Sequence, residues 1–161
     1  MSAILSECRK YRYTLSRDVD MLGSRVFAYF GVNPSTADET LDDQTVKKWI
    51  GFTAKNTGSR FVVGNVFAYR ATDVNELASV SDPIGPRNDK HITTLIEQAD
   101  VLVPCWGSRE KLPKALRYRL DEVMATLVAS GKPVLCFGHT ASGDPKHPMM
   151  LSYETPLVPI D

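Results

Sequence analysis

The residues able to do chemistry fall into four short segments. The first is Gly31-Val32-Asn33-Pro34-Ser35-Thr36-Ala37-Asp38. It combines a permissive glycine, a proline that fixes one dihedral angle, and two hydroxyls. Such a turn can present backbone N–H groups to an anion, or it can be an ordinary turn. It carries neither GxxxxGK[ST] nor GxGxxG, so it is not a standard phosphate or dinucleotide loop. The second centres on Asn65, at the end of the apolar run RFVVGNV. Its amide both donates and accepts, which suits the edge of a pyrimidine or the satisfaction of local backbone. The third is Trp106-Gly107-Ser108. The fourth is Gly138–Pro148, which holds His139 and His147 in a Gly/Pro-rich loop. A histidine there can act as an electrophile or hydrogen-bond donor, or can decorate the surface. Zinc is not favoured, because no cysteine or carboxylate follows at ligand spacing. We expect no metal and no cofactor.

Aromatic side chains accompany these segments: Phe30, Trp49, Phe52, Phe67, Tyr69 and Trp106. Trp49 and Phe52 read more naturally as core. Phe67, Tyr69 and Trp106 follow strand ends and are better placed to touch a ligand. Two basic stretches, Arg9-Lys10-x-Arg12 with Arg17 and Arg109–Arg119, suit either phosphate contacts or a solvated face.

Elements of alternating type must position these residues. Arg25–Gly31 (RVFAYFG), Arg60–Val66, Asp100–Cys105 and Pro133–Phe137 read as strands. The continuous apolar run of Arg60–Val66, with one Gly, is that of a strand covered on both faces. Val46, Trp49, Ile50 and Thr53 recur at helical spacing, with a stop at Asn56 and Gly58. His91–Ala99 marks a second helix, and Pro113 opens a third that runs to about Ser130. Ala68–Asn88 is a long connection with one short helix near Val74–Ala78. A short strand is expected near Met149–Ser152. The order implies an α/β fold, a three-layer sandwich with a central, mainly parallel four-stranded sheet. Ligands of such sheets bind outside the carboxyl ends of the strands, which is where all four chemical segments fall.

Composition bounds the rest. The 161 residues suit one domain spanning 1–161. Nineteen basic residues balance nineteen acidic ones, which argues against indiscriminate coating of nucleic acid. No apolar run is long enough to span a membrane, and the N-terminus lacks a secretory pattern. Cys8, Cys105 and Cys136 are widely spaced and make no disulfide framework, so a cytoplasmic protein with reduced thiols is expected.

Nearly the whole chain resembles an uncharacterised bacterial and phage family, domain of unknown function 1643. The likeness rests on YRYTLSR (Tyr11–Arg17), NPSTAD (Asn33–Asp38), Asp43-Gln44-Thr45, Gly51-Phe52, NVFAYRATD (Asn65–Asp73), DPIGPRND (Asp82–Asp89), Trp106-Gly107 and His147-Pro148. The order of motifs is also similar to the uracil-DNA glycosylase superfamily. Gly31-Val32-Asn33-Pro34 resembles its first motif, in the variant that carries Asn. Asn65, Trp106-Gly107 and His147-Pro148 match later motifs in place. Met149-Met150 replaces the usual Ser-Pro, and Met can serve as an apolar wedge. Ser35-Thr36 stands where some members carry an aromatic that excludes thymine.

The second resemblance implies a uracil-DNA glycosylase-like fold and excision of a modified or mismatched nucleobase from DNA. Asn33 would orient a water and His147 would hydrogen-bond the departing base. Asn65 would read the base edge, and Phe52 or Phe67 would stack on it. Gly31, Pro34, Ser35, Trp106 and Arg70 would complete the substrate site. Two alternatives stay open: a module that binds a nucleotide or nucleobase without chemistry, and a phage or host inhibitor acting through a protein partner. The oligomeric state is open.

Overall fold

The first strand expected, Arg25–Gly31, is third in the chain. In the computed structural model, which describes residues 1–160 apart from Thr36 and Glu39, an N-terminal pair precedes it. This pair is β1 (Ser2–Leu5) and β2 (Arg12–Asp18). There follow β3 (Arg25–Gly31), α1 (Gln44–Lys55), β4 (Gly58–Asn65), α2 (Asn88–Gln98), β5 (Val101–Pro104), α3 (Tyr118–Ala129), β6 (Leu135–Cys136) and β7 (Val158–Pro159). The main sheet has five strands in the order β1-β2-β4-β3-β5. β3 runs parallel to β4 and β5, while β2 is antiparallel to both β4 and β1.

The expected four-stranded, mainly parallel sheet is therefore corrected to a five-stranded mixed one. The N-terminal strands escape a pattern reading because Arg12 and Arg17 look like solvent-facing residues, yet both are buried. The fourth expected strand barely forms. Its start touches β5 through a single parallel bridge, Leu102 to Val134. Pro133 accepts from Leu102 N–H but has no N–H to return, so pairing stops and β6 turns to β7 instead.

Side chains alternate across β3 and so build two cores. Phe27 and Tyr29 meet Val46, Trp49 and Phe52 of α1 on one face. Ala28 and Phe30 meet Leu95 of α2 and Leu120 and Val123 of α3 on the other. α1 starts where Asp43 accepts from Val46 N–H, and Asn56 caps its end, as the Asn56 stop implies. α3 starts at Tyr118 rather than Pro113. Leu112 is buried, and Arg117 donates to the carbonyls of Leu112 and Glu110. These contacts hold 109–116 in two 3₁₀ turns before the α-helical ladder settles. Near Val74 a 3₁₀ turn, Val74–Ser79, replaces a short helix. The expected strand near Met149 is instead a 3₁₀ turn, Pro148–Met150, with proline at its first position. Cys105 and Cys136 are buried thiols, whereas Cys8 is exposed. Among the described residues, no helix is long and apolar enough to cross a membrane.

Candidate functional site

Hydrogen bonds lace the strand ends together in pairs. Val66 and Phe67 N–H donate to the carbonyls of Gly31 and Val32, and Ala71 N–H donates to Pro34. The long connection is tied down as well, with Ala68 and Tyr69 N–H on the carbonyls of Ile84 and Pro83. Across the molecule, Gly107 N–H donates to Pro145, and Ser108 shares its hydroxyl with Ser142. Asp144 is buried and takes both the backbone N–H and the guanidinium of Arg109, which also grips Asp121. Burial opposes ionisation of Asp144, but these donors and the Ser142 hydroxyl outweigh it and hold its carboxyl below the usual range.

Between the two laced halves lies a cleft of about 420 Å³. Val32 and Asn33 enter it from the end of β3, and Trp106, Gly107 and Ser108 from beyond β5. Lys111 and Leu112 form one side, and His147, Met149 and Met150 another. The structure thus brings three residues singled out in the sequence, Asn33, Trp106 and His147, to one cleft at the carboxyl ends of parallel strands.

Asn33 is oriented by its own amide. Its Nδ2 donates to the carbonyls of Pro34 at 3.0 Å and Ala71 at 2.7 Å. Two acceptors on one side fix which end is nitrogen, so Oδ1 is the end left to accept a hydrogen bond. His147 is oriented in the opposite sense. Its Nδ1 accepts from Met149 N–H at 3.2 Å, which puts the proton of the neutral ring on Nε2. Crowding by protein atoms, helped by the charge of Lys111 and opposed by Asp43, lowers its pKa. At neutral pH the cleft therefore offers an acceptor at Asn33 and an uncharged donor at His147. Gly107 packs beside His147 in a conformation that favours glycine. Its φ of +82° lies in the left-handed region, and a Cβ there would sit 3.4 Å from that of His147.

The other expected site residues do not line this cleft. Phe52 is fully buried against Phe137 and Tyr153, and Phe67 lies in the core beneath α2 and α3. Neither offers an exposed face for stacking, because both complete the two cores. Asn65 is 2% exposed and sits behind Gly31, where a Cβ would approach its Oδ1 to 3.0 Å. Its Nδ2 has no partner among the described residues. Gly31 and Pro34 are buried, and Ser35 donates to Asp43. Arg70 donates to the carbonyl of Ser35. Thr36 lies outside the described residues.

Sequence reasoning missed the two arginines behind the first loop. Arg17 pairs with Asp42 and also donates to the carbonyls of Asp38 and Ser16. Arg12 donates to Ala37 carbonyl and is held to a pKa of about 10 by burial, against the pull of Asp43. These side chains brace the Pro34–Asp43 loop from inside. The alternation of RYTLSRD is the signal that could have found them. The neighbouring carboxylates are committed too: Asp43 caps α1, and Asp38 takes the N–H groups of Thr40 and Leu41. None of Asp38, Asp42 and Asp43 lines the cleft. Among the described residues, no three metal-ligating side chains come together.

Fold and site define an α/β protein with a mixed sheet and a cleft at the strand ends that no carboxylate lines among the described residues. The model of the family described as "protein of unknown function (DUF1643)" matches residues 12–149, and the chain belongs to that family. No curated protein and no solved structure matches it.

Proposed function

We propose that the cleft binds an extruded nucleobase and hydrolyses its N-glycosidic bond, in a fold like that of the uracil-DNA glycosylases. One observation carries this reading: Asn33 and His147 face one cleft with opposite hydrogen-bonding sense. Asn33 Oδ1 accepts a hydrogen bond from the attacking water, without taking its proton, and aims the water's oxygen at C1′ of the sugar. The C1′–N bond breaks, and its electrons leave on the base. The sugar keeps the water's hydroxyl, and the water's remaining proton passes to solvent. His147 Nε2–H donates to an oxygen of the departing base as negative charge builds there. The base, protonated from solvent, leaves as the free compound. Trp106, Leu112 and Met149 supply an apolar wall. In duplex DNA the base must first be flipped out.

A second reading, a nucleotide-binding module without chemistry, is favoured by a different observation. Among the described residues no carboxylate lines the cleft, and an amide positions water without deprotonating it. Abasic-site formation in oligonucleotides carrying uracil, hypoxanthine, mismatched thymine or a modified pyrimidine separates the two readings. Hydrolysis requires it, and Asn33→Ala should lose it.

A further inference from the structure

We infer that the cleft holds a phosphate beside the base, and that Lys111 is the residue that binds it. The inference rests on the nucleobase reading above, which it extends from the base to the charged part of the ligand.

The basic stretch Arg109–Arg119 supplies the first argument. Three of its cations are spent on the protein itself. Arg109 is held by Asp121 and Asp144, and Arg117 by two backbone carbonyls. Arg119 is buried against Asp89, Glu122 and the carbonyl of Val66. Lys114 is exposed and lies off the cleft. Lys111 is exposed at the cleft wall, and its ammonium makes no ion pair or hydrogen bond among the described residues. Of the stretch's two cations without a partner among the described residues, Lys111 is the one at the cleft.

The second argument is the balance of the lining. Lys111 carries the cleft's permanent charge, and among the described residues no Asp or Glu stands there to compensate it. The lining therefore sets the Lys111 ammonium beside the neutral Nε2–H donor of His147. A neutral base alone leaves that ammonium without a counter-charge. A ligand with a phosphate supplies one, because phosphate oxygens accept only and are negative. Lys111 also lies near enough to His147 to shift its titration, so phosphate and base would be neighbours in the cleft.

Phosphate reaches such a cleft either as the monoester of a free nucleotide or as a diester of a DNA strand. The test is calorimetric binding of three probe sets. These are deoxynucleosides of the four DNA bases and of uracil, their 5′-monophosphates, and a single-stranded oligodeoxynucleotide without terminal phosphate. The phosphate-bearing probes should bind more tightly than the nucleosides. Lys111→Ala should weaken them about tenfold, Lys111→Arg should restore most of the loss, and Lys114→Ala should change nothing. Lys111 dependence confined to the monophosphates identifies a free nucleotide. Dependence that extends to the oligonucleotide, with a salt slope smaller by about 0.7 in Lys111→Ala, identifies a strand. Equal binding of nucleosides and phosphate-bearing probes overturns the inference, as does affinity unchanged by Lys111→Ala or no binding by any phosphate-bearing probe. Abasic-site formation is measured separately. Excision without Lys111 dependence keeps the reading and removes this inference, and phosphate binding without excision does the reverse.

Discussion

Asn33 does its work through which end of its amide is spent. Both N–H bonds go to backbone carbonyls, so the residue is a loop tie and a presented acceptor at once. This separates two substitutions that otherwise look alike. Asn33→Ala loses two hydrogen bonds, roughly 1 kcal/mol each. Asn33→Asp sets a carboxylate against the same two carbonyls with nothing to donate, so it should melt at a lower temperature than Asn33→Ala in thermal unfolding. A reversed order would mean that the amide is not oriented this way. His147 gives a pH dependence of definite sign. Its folded pKa is depressed, so the native state stays neutral through the ordinary histidine value of about 6.5. As pH falls below that value the unfolded chain takes up the proton first, and stability declines. Protonation of the native ring then removes the Nδ1 acceptor from Met149 N–H. NMR titration of the ring should give a pKa below 6.5. A pKa above it would contradict the crowded, Lys111-facing environment.

At the scale of elements, the cleft is two loops held by buried charge. On one side Arg12 and Arg17 brace Pro34–Asp43 from β2. On the other, Asp144 ties the closing loop to Arg109. Asp144→Asn keeps the shape but loses the charge, which should cost roughly 1.5–3 kcal/mol of stability at neutral pH. The carboxyl titrates below its unfolded value, so its contribution is present above about pH 3.9 and is lost as pH falls through the folded value. The cost of Asp144→Asn in denaturant melts should therefore shrink towards zero in strong acid. A cost that is constant from pH 7 to below pH 3 would show that the charge is not what matters. These elements also mark where the sequence was legible. β3, β4 and α1 follow from apolar runs and periodicity, because their partners lie on both faces. β2 does not, because its two arginines are buried only through Asp42 and carbonyls that arrive from the following loop. The fourth strand was over-read because PVLCF is apolar enough for a strand, while Pro133 denies it the ladder.

For the molecule as a whole, the useful rule was that parallel strands carry their ligands at their carboxyl ends. Knowing where Arg25–Gly31 and Asp100–Cys105 stop was enough to bring Asn33 and Trp106 together. His147 joined them because Gly107 and Pro145 bond across the gap. The aromatic expectations failed for a reason visible only in three dimensions. Phe52 and Phe67 sit close in sequence to the site, but the strand pleat and the helix face turn them into the two cores. Asn65 went the same way, one layer behind Gly31. The cleft wall that replaces them, Leu112 with Met149, comes from segments whose turns a periodicity argument cannot foresee. Bringing the cleft together in this way leaves, among the described residues, an amide with its oxygen free to accept, a neutral donor and one unpaired cation.

The most direct test of the central claim is alkali-induced strand scission after incubation with oligonucleotides that carry the nucleobase panel, with wild type and Asn33→Ala side by side. The account predicts scission at one base of the panel, reduced about 100-fold or more in Asn33→Ala while that variant stays folded. Scission at wild-type rate in Asn33→Ala, or none at any base, would contradict it.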